Sequence, residues 1–244
     1  MELTLTLTVF IFGIMIGSFL NVVIYRIPKG ENIAFPASKC QSCGTPLKWY
    51  HNIPIFSWLA LGGKCAFCKE NISVQYPVVE LLTGIIFLAL YFKLGLVWYL
   101  PFVAASFAAL FALVMIDFEY MAVPDSVNFA ALAFALVQPD FVDAALYAVI
   151  AAGGLYLIGL FSSFIAKRQA MGGADVIVAG TMGALLGFPG FFIAIFLSAI
   201  LAIIPALIWR EKGVPFVPFL ALATLITYLF DSQAADLLEL IIYG

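Results

Sequence analysis

Charged residues are scarce in this chain of 244 residues: Lys, Arg, Asp and Glu make up 10% of it, whereas 65% is hydrophobic. Soluble globular proteins carry about 25% charged residues and roughly half apolar ones, so a surface of this composition could not be kept hydrated. Such an apolar composition also excludes intrinsic disorder. The sequence therefore predicts a protein whose solvent is largely lipid.

Signals of several other protein classes are absent. The formal net charge is −3, whereas nucleic-acid-binding domains need clustered Lys and Arg side chains, so no nucleic-acid partner is expected. The chain contains no G-x-G-x-x-G pattern of a dinucleotide site. Its first apolar run begins with Glu2 instead of basic residues, and no small-residue cleavage site follows. That run is therefore predicted to be a membrane helix and not a signal peptide.

Apolar runs fill most of the chain. A helix needs about 20 apolar residues to cross a bilayer core of roughly 30 Å. Crossings are predicted, two of them short, at residues 3–25, 78–98, 102–116, 126–138, 144–166, 176–188, 190–209 and 215–230. In the first of these runs, Gly13 and Gly17 form a G-x-x-x-G pair, which favours close packing between helices over a dimer seam.

The distribution of Lys and Arg predicts the orientation. Cytoplasmic loops of membrane proteins carry an excess of these residues. If the N-terminus is outside, all but one of the 11 Lys and Arg residues fall on the cytoplasmic side, and Lys93 is the exception. We therefore expect a multi-pass protein with its N-terminus outside.

All four cysteines lie in one polar stretch, residues 26–75, as two C-x2-C pairs formed by Cys40 with Cys43 and by Cys65 with Cys68. Two such pairs on turns can supply four thiolates in a tetrahedron, the closed arrangement of a structural zinc site. Unrelated buried thiols or a disulfide are alternatives, although cytoplasmic thiols are normally reduced. A loop of this size buries little core, so zinc would supply folding energy.

These features predict an all-α polytopic membrane protein with about eight transmembrane helices and a small cytoplasmic zinc-binding loop domain. The expected domains are a first transmembrane helix at residues 1–25, a four-cysteine zinc domain at residues 26–77, and a helical membrane bundle at residues 78–244.

Two aspartates stand at predicted helix ends on the cytoplasmic side: Asp117 follows an apolar run, and Asp175 begins one. Carboxylates at the edge of lipid are costly, so each predicts a function with the other as its partner. Plain helix-end roles are the alternative, with Asp117 reaching out to water and Asp175 capping its helix. Glu119 and Asp125 are rivals of Asp117 for this pair.

The predicted pair has the chemistry of an acid and a base. Two carboxyl groups in contact cannot both ionise comfortably, so they share one proton, and together they can activate water against a peptide bond. Gly172 and Gly173, which precede Asp175, would let a substrate backbone approach. Glu80, near the start of the second membrane helix, is expected to meet a basic substrate segment; an acid stabilised by the helix dipole is the alternative.

Motifs along nearly the whole chain resemble those of one family. They lie in the paired C-x2-C loop and at residues 17–28, 50–54, 75–80, 116–125, 171–175 and 215–220. Together they resemble the type IV prepilin peptidases, polytopic aspartic proteases that trim the leader from prepilins and related pseudopilins.

The resemblance implies catalytic roles for Asp117 and Asp175, with cleavage after a leader glycine on the cytoplasmic side of a bacterial inner membrane. It further implies prepilin or pseudopilin substrates, in type IV pilus or type II secretion systems, and N-methylation of the new N-terminus from S-adenosylmethionine. The chain departs from the family pattern at Ala174 and Val217, where Gly is usual or frequent, and at Ile177, where Lys is frequent.

Two other functions compete. A proton-coupled transporter also keeps intramembrane aspartates and is the alternative function. A membrane thiol oxidase is disfavoured, because its reactive cysteine pairs would face the oxidising compartment.

Overall fold

The computed structural model describes residues 2–167, 172–208 and 215–231 of the chain. These residues form helices and connecting loops and contain no β-strand; two isolated bridges join Lys39 to Pro46 and Lys64 to Asn71. The predicted all-α class is therefore confirmed for the described residues.

The helices of the described ranges follow one another along the chain. They are α1 (Glu2–Arg26), α2 (Phe56–Ala60), α3 (Gln75–Leu94), α4 (Leu100–Tyr120), α5 (Asp125–Ala135), α6 (Phe141–Ala166), α7 (Gly173–Ile208) and α8 (Val217–Leu229). Two short 3₁₀ helices, Ile27–Lys29 and Trp49–Asn52, lie in the loop between α1 and α3. Proline stands in the first turn of α4 and of α8, where its missing N–H costs no intrahelical hydrogen bond.

Within the described ranges, 5 helices are long and apolar enough to cross a membrane, namely α1, α3, α4, α6 and α7. The expected count of eight crossings is therefore not confirmed. One reason is length: α5 has 11 residues and α8 has 13. At 1.5 Å per residue they reach about 16 and 20 Å, well short of a bilayer core of about 30 Å.

The second reason is that α7 unites two predicted spans, residues 176–188 and 190–209, in a helix of 36 residues. Its backbone leaves helical geometry at Gly187 and Phe188. Gly187 has a φ of 59°, which glycine adopts without the steric cost of a Cβ, and Pro189 then follows without an N–H for the helical ladder. The kink thus coincides with the predicted boundary, and α7 consists of two helical segments.

The chain divides into two compact units, Met1–Gly95 and Leu96–Gly244. In the first unit, α1 packs along α3. A Cβ built on Gly17 would lie 2.6 Å from the Cα of Glu80, and one on Gly13 would lie 2.8 Å from the Cα of Gly84. The two backbones approach this closely only because Gly13 and Gly17 carry no Cβ, which confirms the packing interpretation of the glycine pair.

The second unit holds α4 to α8, and α7 contacts α5, α6 and α8. Side-chain hydrogen bonds to backbone carbonyls connect these helices. The Ser106 hydroxyl of α4 donates to the Ala131 carbonyl oxygen of α5 at 2.8 Å, and the Gln138 Nε2 after α5 donates to the Ala184 carbonyl oxygen of α7 at 2.8 Å. These bonds satisfy polar groups that lipid could not.

The close contact between α6 and α7 is testable at two glycines. A Cβ on Gly183 would lie 2.5 Å from the Tyr147 carbonyl oxygen, whereas one on Gly154 would meet nothing within 4 Å. We expect Gly183→Ala to destabilise the protein by about 1–3 kcal/mol, because the added methyl group would overlap the α6 backbone, which cannot move aside without disturbing the packing of the two helices. Gly154→Ala is expected to be neutral or slightly stabilising, because Ala favours helix. Thermal unfolding in detergent measures both variants, and equal stability would contradict the described contact.

Candidate active site and metal centre

Asp117 lies in the last turn of α4 and is buried, with 6% of its surface exposed. The helix ends at Tyr120, and the next residue, Met121, has a φ of 50° and donates its N–H to the Asp117 carbonyl oxygen at 3.0 Å. The backbone N–H of Val217, at the start of α8, donates to the Asp117 carboxylate. The rival acids Glu119 and Asp125 are both exposed. Asp117 is therefore enclosed by the packed helices, whereas Glu119 and Asp125 face solvent or lipid headgroups.

Asp175 lies in the first turn of α7 and is half-buried. Its backbone N–H donates to the Gly172 carbonyl oxygen at 3.2 Å, and the Gly172 N–H donates to Asp175 Oδ2 at 3.2 Å. A carboxylate at a helix N-terminus accepts such otherwise unpaired donors. Gly172 and Gly173 are exposed, and a Cβ on Gly173 would meet nothing within 4 Å. The approach to Asp175 along this segment is therefore open.

The two aspartates come together in the second unit. The charge of Asp175 acts on Asp117 through space, so the carboxyl groups at the end of α4 and the start of α7 are within electrostatic range of each other. Carboxyl groups coupled in this way titrate as a pair, and a pair brought into contact would share one proton. Their catalytic roles stay a prediction, which this electrostatic coupling supports.

Asn128 belongs to the same region and was missed by sequence reasoning. It lies in α5 and is fully buried, and its Nδ2 donates to the carbonyl oxygen of Ala174, the residue before Asp175, at 2.9 Å. Its Oδ1 has no hydrogen-bond partner among the described residues. The sequence feature that could have pointed to Asn128 is a polar amide in an otherwise apolar run, three positions after Asp125.

Glu80 lies in the first unit, in the second turn of α3, and is buried. Its Oε2 accepts the backbone N–H of Ile55 at 2.7 Å, and its carboxylate also accepts the Ser18 hydroxyl. Ile55 has φ 62° and ψ −53° inside a tight turn in which the Phe56 N–H donates to the Pro54 carbonyl oxygen at 2.6 Å. That turn is strained for a β-branched residue. Glu80 thus holds the loop on the helix pair, and its contact with a substrate stays a prediction.

The four cysteines converge in the loop between α1 and α3, and their Sγ atoms all lie within 4.8 Å of one another. The Sγ atoms of Cys40 and Cys68 are 3.8 Å apart, and all four thiols are free. Sulfurs arranged tetrahedrally around one ion at about 2.3 Å are themselves about 3.8 Å apart. The four cysteines therefore could hold one metal ion, and they form no disulfide.

Each C-x2-C pair lies on the same kind of turn. In the first pair, the Gly44 N–H donates to the Cys40 carbonyl oxygen at 2.9 Å. In the second, the Lys69 N–H donates to the Cys65 carbonyl oxygen at 3.1 Å. The residue that closes each turn has a left-handed backbone, with φ 70° at Gly44 and 61° at Lys69. This repeated geometry directs both thiols of a turn to the same side.

The local hydrogen bonds favour the metal-binding form of two thiols. The pKa of Cys43 is lowered to about 6, first by a hydrogen bond with the Thr45 side chain and then by one with the Thr45 backbone. The pKa of Cys65 is also lowered, because the backbone N–H groups of Cys68 and Phe67 hydrogen-bond to its sulfur. A lower pKa preserves thiolate at more acidic pH, and thiolate is the ligand form.

Known families match both units of the chain. Residues 11–94 match the bacterial peptidase A24 N-terminal domain, and residues 104–207 match the type IV leader peptidase family. The first match falls within the unit Met1–Gly95, and the second falls within the unit Leu96–Gly244.

Several relatives share one name, prepilin leader peptidase/N-methyltransferase. The relative from Myxococcus xanthus is 38% identical over 72% of this chain and 55% of its own length, so this chain spans about half of that protein. The relatives from Neisseria gonorrhoeae and Dichelobacter nodosus are 31% and 32% identical, over 83% and 93% of this chain and 82% and 92% of their own lengths. The chain belongs to the type IV leader peptidase family.

Membership of the leader peptidase family confirms the resemblance drawn from the sequence motifs. The chain is an enzyme of a peptidase family and a multi-pass membrane protein. No solved structure matches it at a significant level. The departures from the family pattern lie near the aspartates: Ala174 accepts the Asn128 amide, Ile177 is half-buried in α7, and Val217 donates to Asp117.

The left-handed backbone at Lys69 predicts strain in the second cysteine turn. A left-handed conformation suits glycine and costs another residue up to about 1 kcal/mol. We expect Lys69→Gly to bind an added divalent metal ion about two- to fivefold more tightly than Lys69→Ala, because both variants lose the charge and only the first loses the strain. Competition with a chromophoric chelator measures the affinities. Equal affinities for the two variants would contradict the strained turn.

Proposed function

We propose that the chain is a membrane aspartic endopeptidase that cleaves the leader of type IV prepilins or pseudopilins after a glycine, and then N-methylates the new N-terminus. The observation that carries the peptidase activity is the electrostatic coupling of Asp175 to Asp117, two carboxyl groups at helix ends that each accept a backbone N–H. Family membership supports the same activity. The names of the relatives support the methylation.

In the proposed mechanism, Asp117 and Asp175 share one proton. The charged carboxylate takes a proton from water, whose oxygen attacks the carbonyl carbon of the scissile peptide bond, while the protonated carboxyl gives its proton to the carbonyl oxygen. As the tetrahedral intermediate collapses, the first carboxyl passes its proton to the departing amine nitrogen and the C–N bond breaks. The hydroxyl proton returns to the second carboxylate as the carbonyl re-forms, which restores the shared proton.

The substrate backbone is proposed to lie along Gly172 and Gly173. Both residues are exposed beside Asp175, and a Cβ would find open space at Gly173. An extended main chain can approach glycine more closely than any other residue. We further propose that the N-terminus is outside and that this site faces the cytoplasm across a bacterial inner membrane, as the Lys and Arg distribution favours.

We propose that Cys40, Cys43, Cys65 and Cys68 hold one structural Zn²⁺ ion. Their sulfur spacing supports tetrahedral coordination, and four thiolates leave zinc no open position for a reacting water. The ion would therefore stabilise the domain of residues 26–77 without taking part in hydrolysis. S-adenosylmethionine would supply the methyl group as a second substrate, and no residue is assigned to it.

The paired carboxyl groups make a direct prediction about cleavage. We expect Asp117→Asn and Asp175→Asn each to lower cleavage of a purified prepilin by about 10³-fold or more, because each carboxyl is both a proton donor and an acceptor in turn. Asp125→Asn is the matched control, since Asp125 is the exposed first residue of α5. It is expected to retain most activity, and all three variants should insert and fold.

Two outcomes would change the assignment. An active Asp117→Asn variant with an inactive Asp125→Asn variant would move the dyad to Asp125. If purified wild-type protein never cleaved a prepilin, while ion flux in liposomes required Asp117, the chain would be a proton-coupled transporter.

Removal of zinc tests whether the metal stabilises the loop domain without taking part in cleavage. We expect the Cys40→Ser/Cys43→Ser variant to lose about one equivalent of zinc per chain and to become sensitive to proteases in the loop, because binding energy at a structural site is folding energy. Prepilin cleavage should persist in part, since the aspartates lie outside the loop. Metal analysis, limited proteolysis and the cleavage assay together measure this. Loss of cleavage as complete as in Asp175→Asn would show that the domain also shapes the active site.

A further inference from the structure

Helix α5 links the helices that carry the two aspartates. On one side, the Ser106 hydroxyl of α4 donates to the Ala131 carbonyl oxygen of α5 at 2.8 Å. On the other side, Asn128 Nδ2 donates to the Ala174 carbonyl oxygen at 2.9 Å. A connection through side-chain hydrogen bonds therefore runs from the helix of Asp117, through α5, to the residue that precedes Asp175.

A second amide makes the same type of bond further along. Gln138 Nε2 donates to the Ala184 carbonyl oxygen at 2.8 Å, and in both bonds the carbonyl lies 46 residues after the amide. The chain from Asn128 to Gln138 thus runs parallel to α7 in constant register. The Asn128 bond is at the aspartate end of this contact, and the Gln138 bond is about 15 Å away at 1.5 Å per residue.

The orientation of the Asn128 amide is determined by its partner. The Ala174 carbonyl can only accept a hydrogen bond, so the NH₂ group of Asn128 must face it, and Oδ1 is left without a donor among the residues that the structure describes. Asn128 is fully buried, and a buried amide with one unpaired atom is less stable than an apolar side chain of the same shape. A contribution to packing stability therefore does not explain why an asparagine occupies this position.

The first turn of α7 needs an external support. Helix starts leave their first N–H groups without intrahelical partners and fray readily. Here Gly172 and Gly173, both exposed, precede Asp175 and leave the backbone free to adopt many conformations. The local bonds between Gly172 and Asp175 do not connect this turn to another helix, whereas the Asn128 bond does.

We propose that Asn128 is a positioning residue of the aspartate pair: by holding the Ala174 carbonyl, it fixes the first turn of α7, and with it the Asp175 carboxyl, relative to Asp117. The catalytic consequence rests on the proposed peptidase function. Misplacing a reacting group by about 1 Å costs on the order of 10²-fold in rate. Loss of this bond should therefore act on the chemical step more than on substrate binding.

The test compares Asn128→Leu with Gln138→Leu, since each replaces an amide that donates to an α7 carbonyl by an apolar side chain. Gln138 Nε2 also donates to the Ala135 carbonyl oxygen at 2.6 Å, at the end of α5, so its variant loses no fewer bonds than the Asn128 variant does. Prepilin cleavage gives kcat and KM, and amide hydrogen exchange followed by mass spectrometry reports the first turn of α7 without any reference to activity. For Asn128→Leu we expect kcat to fall about 10- to 100-fold with KM changed less than threefold, and exchange across residues 173–178 to accelerate. For Gln138→Leu we expect kcat within about threefold of wild type and faster exchange only around residue 184.

A second variant covers the case in which Asn128→Leu fails to fold. Asn128→Asp has nearly the same shape but can donate to the Ala174 carbonyl only when it is protonated. Its kcat relative to wild type should therefore rise as the pH is lowered. Asp117, Asp125 and Asp175 are present in both proteins, so the ratio removes the pH dependence that the two proteins share. Because the added carboxyl also couples to these groups, hydrogen exchange across residues 173–178, compared with wild type at each pH, reports the bond itself: the difference from wild type should shrink as the pH is lowered.

The outcomes separate the two proposals. If wild type does not cleave prepilins, the proposed function fails, and hydrogen exchange alone still decides whether Asn128 holds the start of α7. If wild type cleaves, but Asn128→Leu matches Gln138→Leu in kcat and in exchange across residues 173–178, the positioning role is wrong. A rise in KM with unchanged kcat would also overturn it.

Discussion

The need to satisfy carboxylates inside an apolar helical unit is the constraint on which the second unit depends. Backbone N–H groups in the middle of a helix are already committed to the helical ladder, so free donors occur only at helix N-termini. Asp117 accepts its donor from the start of α8, and Asp175 accepts its donor from Gly172, just before α7. The site consequently lies where the end of α4 meets the starts of α7 and α8.

Two of the helices at this site, α5 and α8, are short. Because α5 and α8 both begin beside the aspartates and have 11 and 13 residues, their starts can be used as parts of the site without a full crossing of the bilayer. Asn128 and Val217 lie in the first or second turn of these helices and reach the aspartate region through a side chain and a backbone N–H, respectively. The helices that are too short to span are thus the ones that complete the site.

The loop between α1 and α3 must also be held in place, although it has no helical core of its own. It is attached at three kinds of point. The four cysteine side chains converge on one position, and buried Glu80 accepts the Ile55 N–H at 2.7 Å. Arg26, at the end of α1, donates to the Asn32 carbonyl at 2.9 Å and to the Pro36 carbonyl at 2.8 Å. Charged groups and a cluster of four cysteines that could hold a metal ion therefore take the place of the apolar core that a loop of this size cannot build.

The sequence by itself determined the local features of this protein. Apolar run length located α1, α3, α4, α6 and the two segments of α7, because it is a local property of consecutive residues, but it overcounted the crossings. Cysteine spacing predicted a four-thiol cluster, because two C-x2-C turns leave few other arrangements. The aspartates of the site were likewise visible as charges at the ends of apolar runs.

Only the tertiary structure decided which polar groups meet. Burial distinguishes Asp117 from exposed Glu119 and Asp125, and that burial depends on α8, which lies about a hundred residues away in the chain. The same holds for Asn128, whose partner Ala174 is 46 residues further on. Local pattern carries the period and length of a helix, but it carries no information on which distant carbonyl or N–H will face a side chain, because that depends on how the helices pack.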